Sequence, residues 1–245
     1  MKNDQPDPAS GVYERLDVAT WGDPFQVHLH EQRYAKALSE VNPTDNLLEI
    51  GTGLGVFSSR IAPVVATYQG IEYDSEACKA AKKRVPNPDS ITEGDAQSLR
   101  FPSASFDAVV CLEVLEHLPD YRKALDEIAR VLRPDGRLIA SIPYAKVGAP
   151  SRTNPHHLYE PGEVEFQTEL TRRFEKLTIW YHRYAETSFQ TFARNLRLRR
   201  IFGLHQQYAK LSEGAPEEMT KVVLDTERSG LLQGLFVVAT RPMRQ

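Results

Sequence analysis

The sequence predicts an α/β fold: a doubly wound, seven-stranded, mostly parallel sheet, with an N-terminal helical segment and a helical insertion before the last strand. Three observations predict it. Short Val/Ile/Leu-rich runs alternate with stretches of helical periodicity from Asn46 to Pro143, the pattern of strand–helix–strand units in a parallel sheet. Several of these runs are apolar throughout, as strands buried on both faces are. Gly51, Gly53 and Gly55 follow the first run at alternate positions, which marks a tight turn from strand to helix.

The elements follow in order. Met1 to Ser10 is polar and proline-containing, unlike a signal peptide, and is expected to be disordered. Residues 11–45 form a segment ahead of the core, with aromatic anchors at Tyr13, Trp21 and Phe25. Val27 to Glu40 is helical, since Leu29, Tyr34, Ala37 and Leu38 fall near helical spacing, and Asn42-Pro43 ends it. Strand 46–50 leads to helix 54–62, and strand 65–72 to helix 75–84, with Ser75 as its cap. Pro86 and Pro88 break the chain before strand 90–93, and strand 106–111 is Val-rich. Helix 119–132 carries Tyr121, Ala124, Leu125, Ile128 and Leu132 as an apolar stripe. Pro134-Asp135-Gly136 reads as a turn before strand 137–142. Tyr144 to Tyr159 reads as a long loop, Pro161 to Phe174 as a helix, 177–181 as a strand and 235–240 as the final strand. Roughly 50 residues separate the last two strands, too many for a plain turn. Residues 183–230 therefore read as an inserted cap or lid, and 46–182 with 231–243 as the core.

Composition bounds the partners. The chain has 245 residues, 41% of them apolar, enough for a sizeable core. A formal net charge of −3 supplies no global field for DNA or RNA. Cys78 and Cys111 are the two cysteines, so no disulfide framework organises the fold, and a cytoplasmic location is expected. No apolar run reaches the ~18 residues of a membrane span. The insertion is locally basic: Arg183, Arg194, Arg197, Arg199, Arg200 and Lys210 face only Glu186 across 183–212, with Phe189, Phe192 and Leu196 at helical spacing. A cap over a pocket, an ordinary solvated face and a contact with an anionic surface all fit that pattern.

The glycine turn is the first candidate site. Glycine allows positive φ, and its missing Cβ lets a ligand touch the backbone. The unpaired N–H groups at the start of helix 54–62 would favour an anionic group there. The turn lacks the Gly-Lys-Ser/Thr of a nucleotide-phosphate loop. Val56 stands where a dinucleotide fingerprint has its third glycine. Strand 65–72 ends in Glu72, about 20 residues after Gly51, beside the turn in such a fold. Its carboxylate can accept two hydrogen bonds from the vicinal hydroxyls of a ribose. Asp95 can accept from an exocyclic amine, and the Ala96 backbone can read the adjoining ring nitrogen.

Taken together, Leu48-Glu49-Ile50-Gly51-Thr52-Gly53, Gly70-Ile71-Glu72, Gly94-Asp95-Ala96, Ser105-Phe106-Asp107, Glu113-Val114-Leu115-Glu116-His117-Leu118 and Arg130 to Leu138 stand in family order. In that order the sequence resembles class I S-adenosylmethionine-dependent methyltransferases, most of all the small-molecule branch that includes the ubiquinone-pathway O-methyltransferases. The resemblance covers about residues 44–145 and implies a Rossmann-like fold. It implies S-adenosyl-L-methionine as cofactor, S-adenosyl-L-homocysteine as product, and transfer to O, N or C of a small-molecule acceptor. It places Gly51, Thr52, Gly53, Gly55, Glu72, Asp95 and Ala96 on the cofactor, and Leu112 and Glu113 against its methionine part. In the family a leading helix often closes over the cofactor, and Arg33 would pair with the methionine carboxylate. Glu49 and Glu72 stand where relatives commonly have Asp, and Thr52 where Cys or Ser is usual.

The sulfonium already activates the methyl group, so such an enzyme chiefly aligns the acceptor in line with the S–CH3 bond. No metal is required by this logic, and His28 and His30 lie on different helical faces. A general base is needed only for a protonated acceptor. His117, His156 and His157 are the candidates, with Tyr144 and Tyr159 nearby in sequence. In relatives the histidine at the position of His117 is often structural. A methyltransferase acting on RNA or protein, and a non-catalytic S-adenosylmethionine-binding scaffold, are the alternatives.

Overall fold

The computed structural model describes residues 24–151, 154–184, 222–226, 228 and 231–243. Among these, helices α1 (Pro24–Ser39), α2 (Ser58–Ile61), α3 (Ser75–Lys82), α4 (Tyr121–Val131) and α5 (Glu163–Thr171) accompany eight strands. The strands are β1 (Asn46–Ile50), β2 (Thr67–Glu72), β3 (Ile91–Glu93), β4 (Phe106–Leu112), β5 (Leu132–Pro143), β6 (Phe174–Tyr184), β7 (Val222–Asp225) and β8 (Leu231–Pro242). They form one sheet in the order β3-β2-β1-β4-β5-β8-β6-β7.

The first five strands pair in parallel. β8 enters antiparallel between β5 and β6, and β7 adds an antiparallel edge to β6. The expected seven strands are thus eight, and the parallel part is five strands. The extra one, β7, lies inside 183–230: Val222 to Asp225 pairs with the end of β6 from Tyr181 to Tyr184. Arg183, counted above with the basic insertion, belongs to β6 and makes a two-point ion pair with Asp225, at 2.9 and 2.8 Å. The expected tail 1–10, and Arg194, Arg197, Arg199, Arg200, Lys210, Phe189, Phe192 and Leu196, lie outside the described residues.

Period-two alternation sorts the central strands into two cores. Leu48, Ile50, Val109, Cys111, Leu138 and Ala140 face one side with Leu125 and Ile128 of α4 and Phe166 and Leu170 of α5. Leu47, Ala108, Val110 and Ile139 face the other with Tyr34 and Ala37 of α1, Ile61 of α2, and Cys78 and Ala81 of α3. Helices on both faces explain why these runs carry no polar alternation. Both cysteines are free and buried.

Local differences have physical reasons. Asp74, not Ser75, caps α3, its side chain accepting from Ala77 N at 2.8 Å. Residues Arg133 to Gly136 are drawn into β5 as an irregularity between Leu132 and Arg137, where Arg133 bonds Asp107 at 2.6 Å. Helix 54–62 shrinks to α2, because the glycine turn continues to Phe57 before the chain can coil.

Candidate functional site

β1 lies between β2 and β4, so the chain leaves β1 and β4 toward opposite sides of the sheet and opens a crevice at their carboxyl ends. There a cavity of about 240 Å³ is lined by Ile50 to Leu54, Ile71 to Asp74, Gly94 to Gln97 and Leu112 to Val114, with His117 at its edge. α1 contributes His30 and Tyr34, and Tyr34 stacks on Phe57 at 4.8 Å between ring centres.

The turn is built by its glycines. Gly51, Gly53 and Gly55 have φ of 75°, 52° and 80°. A Cβ at Gly51 would lie 2.4 Å from Val114 Cγ2, and one at Gly55 would lie 2.7 Å from Ala81 Cα. Gly55 therefore serves the packing of α3 and does not line the cavity. A Cβ at Gly53 would meet nothing within 4 Å, so the backbone there is open to a ligand. The N–H groups of Gly51 and Thr52 donate to Ile71 O at 2.9 and 3.2 Å, and that of Gly55 to Thr52 O at 2.9 Å. Gly53 N donates to Glu72 Oε2 at 2.8 Å. The expected anion cradle at a helix start is thus corrected: these four N–H groups are taken within the protein, and α2 starts only at Ser58.

Glu72 is clamped from both sides, its Oε1 accepting from Asp74 N at 3.0 Å. Each carboxylate oxygen retains a second lone pair. Asp95 accepts from Gln97 N at 2.8 Å, which fixes the loop after β3 and presents the Ala96 backbone to the cavity. Glu113 is held at φ 54°, a costly conformation for a non-glycine residue. Ser141 Oγ donates to its Oε1 at 2.7 Å, and Arg33 lies 3.3 Å from its Oε2.

Among the described residues the wall carries five carboxylates, Glu49, Glu72, Asp74, Asp95 and Glu113, and no Lys or Arg. Such a lining favours a cationic or hydroxyl-bearing ligand over an anionic one. Glu49 went unassigned in the sequence. It is buried, accepts from Tyr68 OH at 2.6 Å, and is pushed up to about 7 by burial. His30 is pushed down to about 3 by burial and by Arg33, so it is neutral.

The structure gathers Gly51, Thr52, Gly53, Glu72, Asp95, Ala96, Leu112, Glu113 and His117 on one cavity. Arg33 is not on its wall; it is buried behind Glu113. His156 and His157 stand behind His117. His117 Nδ1 lies 2.9 Å from His156 O, and its ring meets that of His157 edge-on at 4.8 Å. Tyr144 and Tyr159 are poor bases, since their hydroxyls donate to Glu163 and Glu165 at 3.2 and 2.9 Å and burial raises both. The sequence offered a signal for His30 only in the leading helix, and for Tyr73 and Asp74 only in their adjacency to Glu72.

S-Adenosylmethionine fits these residues on three counts: spare lone pairs on Glu72, open backbone at Gly53, and a buried Thr52 Oγ1 on the lining without a hydrogen-bond partner.

Residues 48–140 match a family model described as a methyltransferase domain. A probable S-adenosylmethionine-dependent methyltransferase of Mycolicibacterium smegmatis is 34% identical over 146 residues, which is 60% of this chain and 56% of that protein. A demethylmenaquinone methyltransferase of Listeria welshimeri is 28% identical, over 53% of this chain and 56% of that one. The chain spans about half the length of the curated relatives it matches. Among solved structures, the N-methyltransferase NodS of Bradyrhizobium japonicum, in complex with S-adenosyl-L-homocysteine, aligns over 91% of this chain and 90% of its own. Its TM-score is 0.58 and its identity 20%, a likeness of fold.

Proposed function

We propose that residues 48–140, which match a methyltransferase-domain model, form a class I S-adenosylmethionine-dependent methyltransferase domain, and that the chain moves a methyl group from S-adenosylmethionine to O, N or C of a small-molecule acceptor. The observation that carries this reading is the Glu72 carboxylate, bonded to Gly53 N inside the cavity with lone pairs to spare. When bound, the cofactor supplies a methyl group made electrophilic by its sulfonium.

The residues of the chain do the rest. Glu72 accepts from the two ribose hydroxyls. Asp95 and the Ala96 backbone hold the adenine edge, and Leu112, Glu113 and the glycine turn hold the amino-acid end. Arg33 is best assigned as the cation that fixes Glu113. The five carboxylates on the wall suit a ligand with a sulfonium and an ammonium. His117 stands at the edge of the cavity and is the side chain an acceptor meets. Alignment along the S–CH3 axis supplies several kcal/mol, up to about 7–11 in favourable cases, and exclusion of water helps as the positive charge disperses.

A small acceptor fits a lined cavity better than a macromolecule does, and one relative is named for demethylmenaquinone. The acidic lining among the described residues disfavours an RNA acceptor at this cavity. Isothermal titration with S-adenosylhomocysteine, then mass-spectrometric detection of methyl transfer across a metabolite panel, tests the reading. Micromolar binding with transfer to a small acceptor is expected. No binding of either cofactor form would overturn it, and binding without transfer to any acceptor would reduce the protein to a scaffold.

A further inference from the structure

At the edge of the cofactor cavity His117, which an acceptor meets, belongs to a group of side chains whose other members, Glu116 and His157, methyl transfer does not use. Glu116 is fully buried, and neither carboxylate oxygen has a hydrogen-bond partner among the described residues. A buried carboxylate without a partner demands a proton or a cation. Glu116, His117 and His157 each bring one candidate ligand atom to within 4.8 Å of the other two. An ion with donors at about 2.0–2.2 Å spans opposite ligands about 4 Å apart, so a small rotation closes the set.

Both imidazoles are prepared for ligation. His117 Nδ1 faces His156 O at 2.9 Å, and a carbonyl only accepts, so Nδ1 carries the proton. His157 Nδ1 faces Glu160 Oε1 at 2.8 Å, again as donor to a carboxylate. In that tautomer the lone pair of each ring is on Nε2. A histidine whose other nitrogen is tied to a carbonyl or carboxylate is the usual outer-shell arrangement around a bound metal. The two halves of the site are stitched together, as Tyr159 N donates to Glu116 O at 3.2 Å.

We propose that Glu116, His117 and His157 form a binding site for a first-row divalent transition-metal ion at the edge of the cavity. Two imidazoles and one carboxylate suit Zn²⁺, Fe²⁺, Co²⁺ or Mn²⁺ better than Mg²⁺ or Ca²⁺, which prefer oxygen. Three protein donors leave positions for water or for an oxygen donor of a second ligand. The sequence pointed to no metal, because His157 lies some 40 residues from the Glu-His pair and only the fold brings them together. Binding of the ion is independent of the methyltransferase reading.

The test uses the full chain, stripped with a chelator, dialysed and titrated with cobalt(II) chloride while the visible d–d absorption is followed. One equivalent per chain, displaced by zinc, is the expected result. Glu116→Gln and His157→Ala should each weaken cobalt binding by more than about tenfold, and Glu160→Gln by about 10- to 100-fold. Affinity for S-adenosylhomocysteine, measured on the same samples, reports whether each variant is folded. Wild-type protein that takes up no stoichiometric cobalt overturns the proposal. So do folded Glu116→Gln and His157→Ala proteins that bind cobalt as the wild type does. Loss of S-adenosylhomocysteine binding in the wild type with cobalt uptake intact would remove the methyltransferase reading and leave this one standing.

Discussion

Replacing Glu72 by Gln tests the cofactor assignment through a group whose two duties can be measured apart. The carboxylate accepts from Gly53 N at 2.8 Å and from Asp74 N at 3.0 Å. It therefore holds the glycine turn and the start of α3 even without ligand. Glu72 lines the cavity, and its remaining lone pairs are assigned to two ribose hydroxyls. The amide keeps one acceptor oxygen and loses the charge. A hydrogen bond to a charged group is worth about 1.5–3 kcal/mol, so losing one on the ligand side predicts S-adenosylhomocysteine binding about 10- to 150-fold weaker. Losing one bond to the turn predicts a drop in unfolding free energy of similar size, read by urea denaturation without ligand. Calorimetry of the folded variant separates the two. If Glu72→Gln lowers stability and leaves the affinity unchanged, the carboxylate serves the turn alone and the ribose assignment is wrong.

Other outcomes follow from the same geometry. Glu49, raised from 4.5 to about 7 by burial, holds a proton in the folded protein that the unfolded chain releases. Its contribution to stability is full below about pH 4.5 and is lost as pH rises through 7, by roughly 3 kcal/mol in all. Glu49→Gln should therefore gain stability relative to wild type between pH 4 and 8, and a difference constant with pH contradicts the shift. Gly55→Ala, which puts Cβ 2.7 Å from the Ala81 backbone at positive φ, should lower the melting temperature sharply. Gly53→Ala meets nothing within 4 Å, so it should cost only about 1–2 kcal/mol of stability and act mainly on ligand affinity. Equal melting temperatures for the two variants would count against this division. Arg33→Leu strands Glu113 without its cation and should cost about 3 kcal/mol or more in urea denaturation. Unchanged stability with a large loss of ligand affinity would return Arg33 to the cofactor carboxylate.

What could be read in the sequence divides along physical lines. The middle of β4, from Ala108 to Cys111, and of β8, from Leu235 to Ala239, are runs buried on both faces, and a continuous apolar run survives any detail of packing. The four-residue β7 follows no such rule. Val222 to Asp225 is a strand because the end of β6 offers it an edge and Arg183 offers Asp225 a partner, and both are contacts across the fold. Helix 54–62 was overextended because periodicity cannot see that positive φ at three glycines keeps the chain in a turn. In the site, the places of Gly51, Gly53, Glu72, Asp95 and Ala96 on one cavity were legible because each sits at the end of a strand, where the fold class fixes its direction, whereas Gly55 was not, because its contact is with α3. Arg33 on Glu113, Tyr68 on Glu49, and His157 against His117 were not, since each joins distant segments whose separation carries no period.

The acidic wall ties these contacts together. Five carboxylates around one cavity repel one another, and the fold answers them in three ways. Glu72, Asp74 and Asp95 are held by backbone N–H groups, Glu113 by Arg33 and Ser141, and Glu49 by a raised proton affinity and Tyr68. Such an arrangement is costly in the empty protein and is relieved by a bound positive charge. A sulfonium supplies that charge and its thioether product does not, so the wall should hold S-adenosylmethionine more tightly than S-adenosylhomocysteine and help the product to leave. The comparison with relatives bears on which cofactor enters the cavity. Calorimetry with both forms checks the charge argument, and equal affinities would show that the carboxylates do not read the sulfonium.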